Sequence, residues 1–314
     1  MSILLAVEGG DASPWVERLR ALLPDHAIVT PRDLTDRAAV RYAVCWGRER
    51  SALADLPHLQ AIFSLGAGVD HLLEDPRLPQ VPIVRVVDPD LTQRMSEWVA
   101  LHALLHLRQF RRYERQQRQR VWDDDHDQPA AGQVRVGVMG LGELGRDAAH
   151  KLAHLGFAVA GWSASAKSEP GVACFHGPDG LDAMLARTDI VVCLLPLTAA
   201  TRGILDARLF AKLARDGRLG GPILINAGRG GLQVEADIVA ALDAGVLKGA
   251  SLDVFEQEPL PPDSPLWRHQ AVFVSPHNAA MSAPDAVARY VAAQIEAFER
   301  GEPLRNAVDR KRGY

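Results

Sequence analysis

Cysteine is scarce in this chain: only three of its 314 residues are cysteines. Cys45, Cys174 and Cys193 stand far apart, with no CxxC pair and no spacing typical of a disulfide framework or a zinc site. We expect them to be small apolar side chains in a reducing compartment. The sequence therefore argues against a disulfide-stabilised secreted protein and favours a cytoplasmic one.

Long apolar runs and a strong net charge are missing as well. The first apolar run, Ile3–Val7, is too short for the core of a signal peptide, and no run approaches the roughly 20 residues of a membrane helix. A formal net charge of -4 offers no general attraction for nucleic acid or an anionic membrane. The arginines from Arg108 to Arg120 lie on a helical pattern, which we interpret as a solvated face or a subunit contact. We expect no nucleic acid and no membrane partner.

Short apolar runs alternate with helical patterns along most of the chain. This alternation is typical of parallel sheets with helices on both faces. A polar stretch, Asp123 to Gly132, separates two such series. The predicted strands are Ile3–Val7, Ala27–Thr30, Tyr42–Trp46, Leu59–Ser64 and Val81–Val87, then Val134–Met139, Phe157–Gly161, Ile190–Leu195, Ile223–Asn226, Gly249–Val254 and Val272–Ser275. The fold class we predict is α/β, with two Rossmann-like domains, each a parallel sheet flanked by helices.

A glycine-rich turn opens the second series. Gly140, Gly142 and Gly145 form a GxGxxG after a predicted buried strand, and Glu143 and Leu144 begin the helical pattern that follows. Alone this motif is weak, because a glycine-rich turn often serves only packing. Between a strand and a helix it predicts a dinucleotide site, with the pyrophosphate on the helix N-terminus.

The next strand should end near Trp162, where an NAD site normally carries an acidic residue for the ribose 2′-hydroxyl. This chain has Ser163, Ser165 and Lys167 there, separated by alanines. The absence of a carboxylate favours NADP(H), with the two hydroxyls and the ammonium as ligands of the 2′-phosphate. NAD(H) remains an alternative because the loop has no arginine. A second alternative is that the segment is an exposed polar loop without a role in cofactor binding.

Three more motifs follow predicted strands, and ligands bind at such strand ends in open α/β sheets. They bring an arginine (Arg229), a carboxylate (Glu258) and a histidine (His277). Reduction of a 2-oxo acid needs a cation for the carboxylate and keto oxygen, an acid for the developing alkoxide, and a carboxylate that orients this acid. Each residue alone has an ordinary structural explanation, but the three together after a dinucleotide fingerprint predict this chemistry.

With Trp46 and the segments 65–70, 140–145, 226–230, 253–259, 265–267, 275–277 and 308–314, the sequence resembles the D-isomer-specific 2-hydroxyacid dehydrogenase family, in particular its glyoxylate/hydroxypyruvate reductase branch. The resemblance covers essentially the whole chain. It implies a flavodoxin-like substrate-binding domain of residues 1–97 and 280–314, a Rossmann domain of residues 98–279, and an active site in the cleft between them. It also implies a homodimer.

The resemblance also implies roles for individual residues. Arg229, Glu258 and His277 would be catalytic, with Arg229 also binding substrate. Ala67 and Gly68 would offer N–H groups to the substrate carboxylate, and Trp46 would close a small pocket. The remaining cofactor contacts implied are Met95, Leu195, Pro196, Thr201, Ala227, Gly228 and Asp253. In this branch the loop at Ser163–Lys167 usually carries arginines, and here Ala164 and Ala166 stand instead.

Two alternatives remain open on the sequence alone: a dehydrogenase for a larger 2-oxo acid, and a non-enzymatic dinucleotide-sensing protein. His102/His106 and His150/His154 are helical i,i+4 pairs, a spacing that can bind a metal ion. A zinc site needs a third ligand, and neither pair has an evident one. We therefore expect no metal site.

Overall fold

A computed structural model describes residues 1–7, 11–47, 50–75, 77–281 and 283–314 of the chain. The chain divides into two units. Unit 1 comprises Met1–Leu91 and Met281–Tyr314, and unit 2 comprises Thr92–Ala280. The family resemblance implies borders at 97/98 and 279/280. One helix runs across the first border, so no break in the helical pattern marks it.

The described residues form the following elements. The strands are β1 Ser2–Val7, β2 Ala27–Val29, β3 Val40–Trp46, β4 Ala61–Ser64, β5 Ile83–Val84, β6 Arg135–Met139, β7 Ala158–Ser163, β8 Ala173–His176, β9 Ile190–Cys193, β10 Ile223–Asn226, β11 Gly249–Leu252 and β12 Val272–Val274. The α-helices are α1 Ser13–Leu22, α2 Asp70–Leu73, α3 Pro89–Leu107, α4 Phe110–Gln119, α5 Glu143–His154, α6 Gly177–Leu185, α7 Ala207–Lys212, α8 Glu235–Asp243 and α9 Pro284–Glu299. Short 3-10 helices occur at Arg37–Ala39, Arg50–Leu53, Ala131–Gln133, Gly230–Leu232 and Pro265–Trp267.

Unit 1 is built on a parallel sheet in the order β2-β1-β3-β4-β5. Successive residues of β1 bury into opposite cores: Ile3 and Leu5 pack with Val291 and Ile295 of α9, whereas Leu4 packs on the other face with residues such as Leu72. A strand buried on both faces is continuously apolar rather than alternating, which is why β1 reads as an unbroken run. The carboxyl ends of β3 and β4 carry Trp46 and the loop after Ser64.

Unit 2 is built on a seven-stranded parallel sheet in the order β12-β11-β10-β9-β6-β7-β8. The chain starts in the middle at β6, moves outward to β8, and returns to β9 on the other side of β6. This reversal at β6/β9 is the switch point at which open α/β sheets bind ligands, beyond the carboxyl ends of the strands. One core cluster covers each face of the sheet, and α5 packs Ala148, Ala149 and Leu152 onto one of them.

The predicted fold class is confirmed: both sheets are parallel and flanked by helices. The strands differ from the prediction at their ends. Val81–Val87 shortens to Ile83–Val84, and Phe157–Gly161 becomes Ala158–Ser163. One strand was missed, β8, because Ala173–His176 lies at the sheet edge, is only partly buried and lacks a buried apolar run.

Among the described helices, none is long and apolar enough to cross a membrane. The three cysteines are free; Cys45 and Cys193 are buried and Cys174 is partly buried. Burial raises the pKa of both buried thiols to about 12, which keeps them protonated and unreactive at neutral pH.

Candidate active site

The glycine-rich turn lies between β6 and α5, and the structure around it differs at each of its three glycines. Gly140 has a φ of +103°, a backbone conformation that favours glycine. A Cβ on Gly145 would lie 1.7 Å from the carbonyl oxygen of Gly140, so helix and turn approach too closely for any side chain. No atom lies within 4 Å of a Cβ built on Gly142, the residue before the helix. This arrangement leaves open space in front of the turn.

The N-terminus of α5 has no side-chain cap, so its first N–H groups point to that space without a capping oxygen. Glu143 and Leu144, the first helical residues, are half-buried, and Glu143 pairs with Arg146 at 2.8 Å. Free N–H groups and the positive end of the helix dipole bind phosphate. The residues of this turn therefore fit the pyrophosphate of a dinucleotide.

The end of β7 carries the residues predicted to distinguish NADP(H) from NAD(H). Ser163 is buried, and its hydroxyl donates to the carbonyl oxygen of Ser165 at 2.7 Å. Ser165 and Lys167 are exposed in the loop that follows. The hydroxyl proton of Ser163 is thus donated within the loop rather than to a ligand. Ser165 and Lys167 are left to face a ligand, and no carboxylate occurs from Ser163 to Lys167.

A second loop of the predicted cofactor site follows β9. Leu195 is buried in the core, and Pro196 precedes a turn closed by Thr201. The Thr201 hydroxyl donates to the carbonyl oxygen of Pro196 at 2.7 Å and accepts from the N–H of Thr198 at 2.9 Å. These bonds shape the loop beside the switch point. Met95, on α3, is buried in the same core cluster as Leu141 and Ala227.

The Arg229 loop after β10 is held by two buried amides. The side-chain oxygen of Asn226 accepts from the N–H of Gly228 at 3.1 Å, and its amide donates to Gln233 at 2.8 Å. Gln233 in turn donates to the carbonyl oxygen of Val254 at 2.9 Å. A Cβ on Gly230 would lie 1.7 Å from the carbonyl oxygen of Phe255, so the loop packs directly on the next strand end. Sequence reasoning missed the positioning roles of Asn226 and Gln233; two amides flanking the arginine loop were the available signal.

The acid pair lies at the ends of β11 and β12. Glu258 Oε2 and His277 Nδ1 are 2.7 Å apart, and Glu258 Oε1 accepts from the Phe255 N–H at 3.0 Å. Burial by itself would raise the pKa of Glu258. Hydrogen bonds from His277 and Phe255, with the charges of His277 and Arg229, lower that pKa below its ordinary value. Glu258 is therefore a carboxylate at neutral pH, and its charge interacts with both other predicted catalytic residues.

Asp253 fixes the backbone around His277, which has a φ of +52°. Its buried carboxylate accepts from the Ser275 hydroxyl at 2.6 Å, from Asn278 N–H at 3.0 Å and from Ala279 N–H at 2.9 Å. Its carbonyl oxygen accepts from the His277 N–H at 2.7 Å. Sequence reasoning assigned Asp253 only a cofactor contact. The structure adds that this residue shapes the histidine loop.

Trp46, Ala67 and Gly68 belong to unit 1. Trp46 ends β3 with 36% of its surface exposed, and a Cβ on Gly66 would lie 2.3 Å from its indole ring. The Ser64 hydroxyl donates to the carbonyl oxygen of Gly68 at 3.1 Å, which closes the loop after β4. Within the described part of the chain, the N–H groups of Ala67 and Gly68 meet no protein acceptor. Two free N–H groups in a tight loop can bind a carboxylate.

The two helical histidine pairs contact other polar side chains. His102 and His106 both contact the hydroxyl of Ser251, and His150 lies 3.5 Å from Glu169. No group of three or more metal-ligating side chains occurs among the residues the structure describes.

Comparison with known proteins identifies the family. Residues 100–279 match the family model for the D-isomer specific 2-hydroxyacid dehydrogenase, NAD binding domain. The glyoxylate/hydroxypyruvate reductase A of Salmonella newport (strain SL254) is 39% identical over 310 residues, 97% of either chain.

Two solved structures are similar over the full length. An NADPH-dependent glyoxylate/hydroxypyruvate reductase from Sinorhizobium meliloti, in complex with NADP and sulfate, has 48% identity and a TM-score of 0.93, covering 100% of this chain and 99% of that one. A probable 2-hydroxyacid dehydrogenase from Rhizobium etli CFN 42, solved with NADP, HEPES and tartaric acid, has 47% identity and a TM-score of 0.94 with the same coverage. The chain belongs to the D-isomer specific 2-hydroxyacid dehydrogenase family.

Proposed function

We propose that this protein uses NADPH to reduce small 2-oxo acids, glyoxylate to glycolate and hydroxypyruvate to D-glycerate. The observation that carries the proposal is the 2.7 Å contact between Glu258 and His277. These residues follow β11 and β12, which belong to the same sheet as β6, the strand before the phosphate-binding turn. The names of the full-length relatives from Salmonella and Sinorhizobium support the same substrates.

In this mechanism Arg229 binds the substrate carboxylate and keto oxygen through its planar guanidinium group. His277 donates a proton from Nε2 to the keto oxygen, because Glu258 holds the hydrogen at Nδ1. Bound NADPH supplies the hydride that reduces the keto carbon. Glu258 keeps the imidazole in one orientation through the contact at Nδ1. The carbonyl gains one hydride and one proton and becomes a hydroxyl.

Besides Arg229 of unit 2, the substrate-binding residues would come from unit 1. The free N–H groups of Ala67 and Gly68 suit a carboxylate, and Trp46 would restrict the size of the substrate. The cofactor contacts would come from unit 2. They are Met95, Gly140, Gly142, Glu143, Leu144, Gly145, Ser165, Lys167, Leu195, Pro196, Thr201, Ala227, Gly228 and Asp253, with Ser163 as support of the loop.

NADP(H) is the favoured cofactor, and NAD(H) is the alternative. Residues 163–167 at the end of β7 present an ammonium and no carboxylate, and the Sinorhizobium and Rhizobium relatives were solved with NADP. The two units would serve as substrate-binding and dinucleotide-binding domains.

A homodimer is the proposed assembly. The basic helix α4 begins with the exposed Phe110 (49%) and is followed by the exposed Trp122 (97%). A cytoplasmic location stays a prediction, supported by the free cysteines.

The direct test follows the absorbance of NADPH, and separately NADH, with glyoxylate, hydroxypyruvate and larger 2-oxo acids. Oxidation of NADPH by the two small acids supports the proposal. Turnover only with larger acids would point to a dehydrogenase for a larger 2-oxo acid. Tight cofactor binding with no turnover of any 2-oxo acid would point to a dinucleotide sensor instead.

Two variants test the assigned roles. His277→Asn keeps a hydrogen bond to Glu258 but no acid, and should lower kcat about 10²- to 10⁴-fold with cofactor affinity intact. Arg229→Lys should raise KM for the 2-oxo acid, because a bidentate contact is lost. The matched control is His154→Asn, at the exposed end of α5. Wild-type kinetics in His277→Asn would exclude the acid role.

A further inference from the structure

The strand that the sequence did not predict, β8, places a histidine beside the cofactor-selective loop. β8 pairs with β7 in parallel, and the last register pair joins Ser163 to His176. Adjacent strands are about 4.8 Å apart. Both residues end their strands at the carboxyl edge of the sheet, where the ligand of such folds binds. His176 is exposed.

The pattern of burial shows which face these two residues share. Trp162 and Phe175 pack into the cluster on the α6 face, where the Trp162 indole N–H donates to the carbonyl oxygen of Gly177 at 2.8 Å. Cys174 packs into the cluster on the opposite face, with Leu141 and α5. Because side chains alternate along a strand, Ser163 and His176 take the α5 face. The phosphate-binding turn begins α5, so His176 shares its side of the sheet.

The loop after β7 by itself offers few donors to a phosphate. The hydroxyl of Ser163 donates to the carbonyl oxygen of Ser165, which leaves the exposed hydroxyls of Ser165 and Ser168 and the Lys167 ammonium. The nearest carboxylate along the sequence, Glu169, lies 3.5 Å from His150 of α5. A phosphate monoester is bound best by several charge-assisted donors. A further donor is therefore expected close to this loop.

We propose that His176 binds the 2′-phosphate of NADPH together with Ser165 and Lys167, and so determines the preference for NADPH over NADH. The inference rests on the proposed function, whose cofactor it specifies. His176 ends β8 directly before the nine-residue helix α6, and the positive end of that helix adds to the attraction for an anion. The opposing charge nearby in sequence is Asp179, in the first turn of α6.

The test measures binding rather than turnover. Affinities for NADPH, NADH, adenosine 2′,5′-bisphosphate and AMP are determined by titration of the full-length wild-type protein, His176→Gln and His176→Asp. In His176→Gln we expect about 5- to 30-fold weaker binding of the two 2′-phosphorylated ligands. NADH and AMP should change less than about twofold, because they carry no 2′-phosphate. His176→Asp should reduce the NADPH preference further, since a carboxylate repels the phosphate.

His154→Gln is the matched control: an exposed histidine of the same unit, at the last residue of α5. It should leave all four affinities unchanged. Equal weakening of NADPH and NADH in His176→Gln would indicate a structural effect and overturn the inference, as would unchanged selectivity in both His176 variants. Selective loss of 2′-phosphate binding in a protein that turns over no 2-oxo acid would refute the proposed function and leave this inference standing.

Discussion

Acidification should weaken unit 2 at one buried cluster, in which two histidines of α3 share a single hydroxyl of β11. His102 Nδ1 lies 2.8 Å from Ser251 Oγ, and His106 Nε2 lies 2.9 Å from the same atom. The Phe273 ring packs edge-on against both imidazoles. Arg111 stacks over that ring at 4.1 Å. The cluster has no carboxylate among these residues to balance a second positive charge.

Burial, aided by the charge of Arg111, lowers the pKa of His102 to about 4. Burial, aided by His102 and Arg111, lowers the pKa of His106 to about 3. In the unfolded chain both have the ordinary value of roughly 6.5. Between these values the unfolded state binds more protons, so stability falls as the pH falls below about 6.5. Each histidine then costs about 2 kcal/mol between about pH 7 and pH 5, or about 4 kcal/mol together.

That magnitude depends little on the folded-state pKa values, because both lie below pH 5. The assay is urea unfolding of the wild type and of His102→Asn/His106→Gln at several pH values. Asn places its amide where Nδ1 lies and Gln where Nε2 lies, so both contacts to Ser251 are kept while the titration is removed. The free energy of unfolding should fall about 4 kcal/mol more in the wild type than in the double variant. Carboxylates titrate alike in both proteins and cancel in the difference.

An equal loss in the two proteins would refute this reasoning, since it would show that the imidazoles do not carry the pH dependence. The single variant His106→Gln, expected to remove about half of the difference, separates the two contributions. It also provides the measurement if the double variant is too unstable.

Four further changes test the glycine-rich sites and the acid pair. Gly145→Ala should destabilise unit 2 by about 3 kcal/mol, because its Cβ would lie 1.7 Å from a backbone oxygen. Gly142→Ala, with nothing within 4 Å, should keep Tm unchanged and weaken dinucleotide binding. Gly66→Ala, whose Cβ would lie 2.3 Å from the Trp46 ring, should raise KM for glyoxylate about tenfold without affecting cofactor affinity. Glu258→Gln should lower kcat about 10²- to 10⁴-fold and alter the pH profile.

Thermal unfolding, cofactor titration and steady-state kinetics check these changes. A stable Gly145→Ala protein would contradict the close approach of α5 to its turn. Unchanged NADPH affinity in Gly142→Ala would remove the turn from the phosphate site. If Gly66→Ala changes KM and cofactor affinity equally, the indole is not a substrate wall. A kcat near wild type in Glu258→Gln would exclude the orienting role.

Much of the fold and of the site was predictable because the responsible interactions are local. A buried parallel strand appears in the sequence as an apolar run. Glycines at fixed spacing between a strand and a helix are typical of a dinucleotide-binding turn. The order Arg229, Glu258 and His277 on successive strand ends follows from the same regularity. The family resemblance predicted from these motifs is confirmed.

The sequence by itself thus determined the fold class, the dinucleotide fingerprint and the three proposed catalytic residues, Arg229, Glu258 and His277. Only the tertiary structure decided what the remaining polar residues contact. His102 and His106, considered as metal ligands from their helical spacing, instead contact Ser251, which lies 149 and 145 residues away. Likewise, β8 carries no strong strand signal, and its pairing with β7 places His176 beside Ser163. Such contacts depend on strand order and register, which spacing along the chain does not encode.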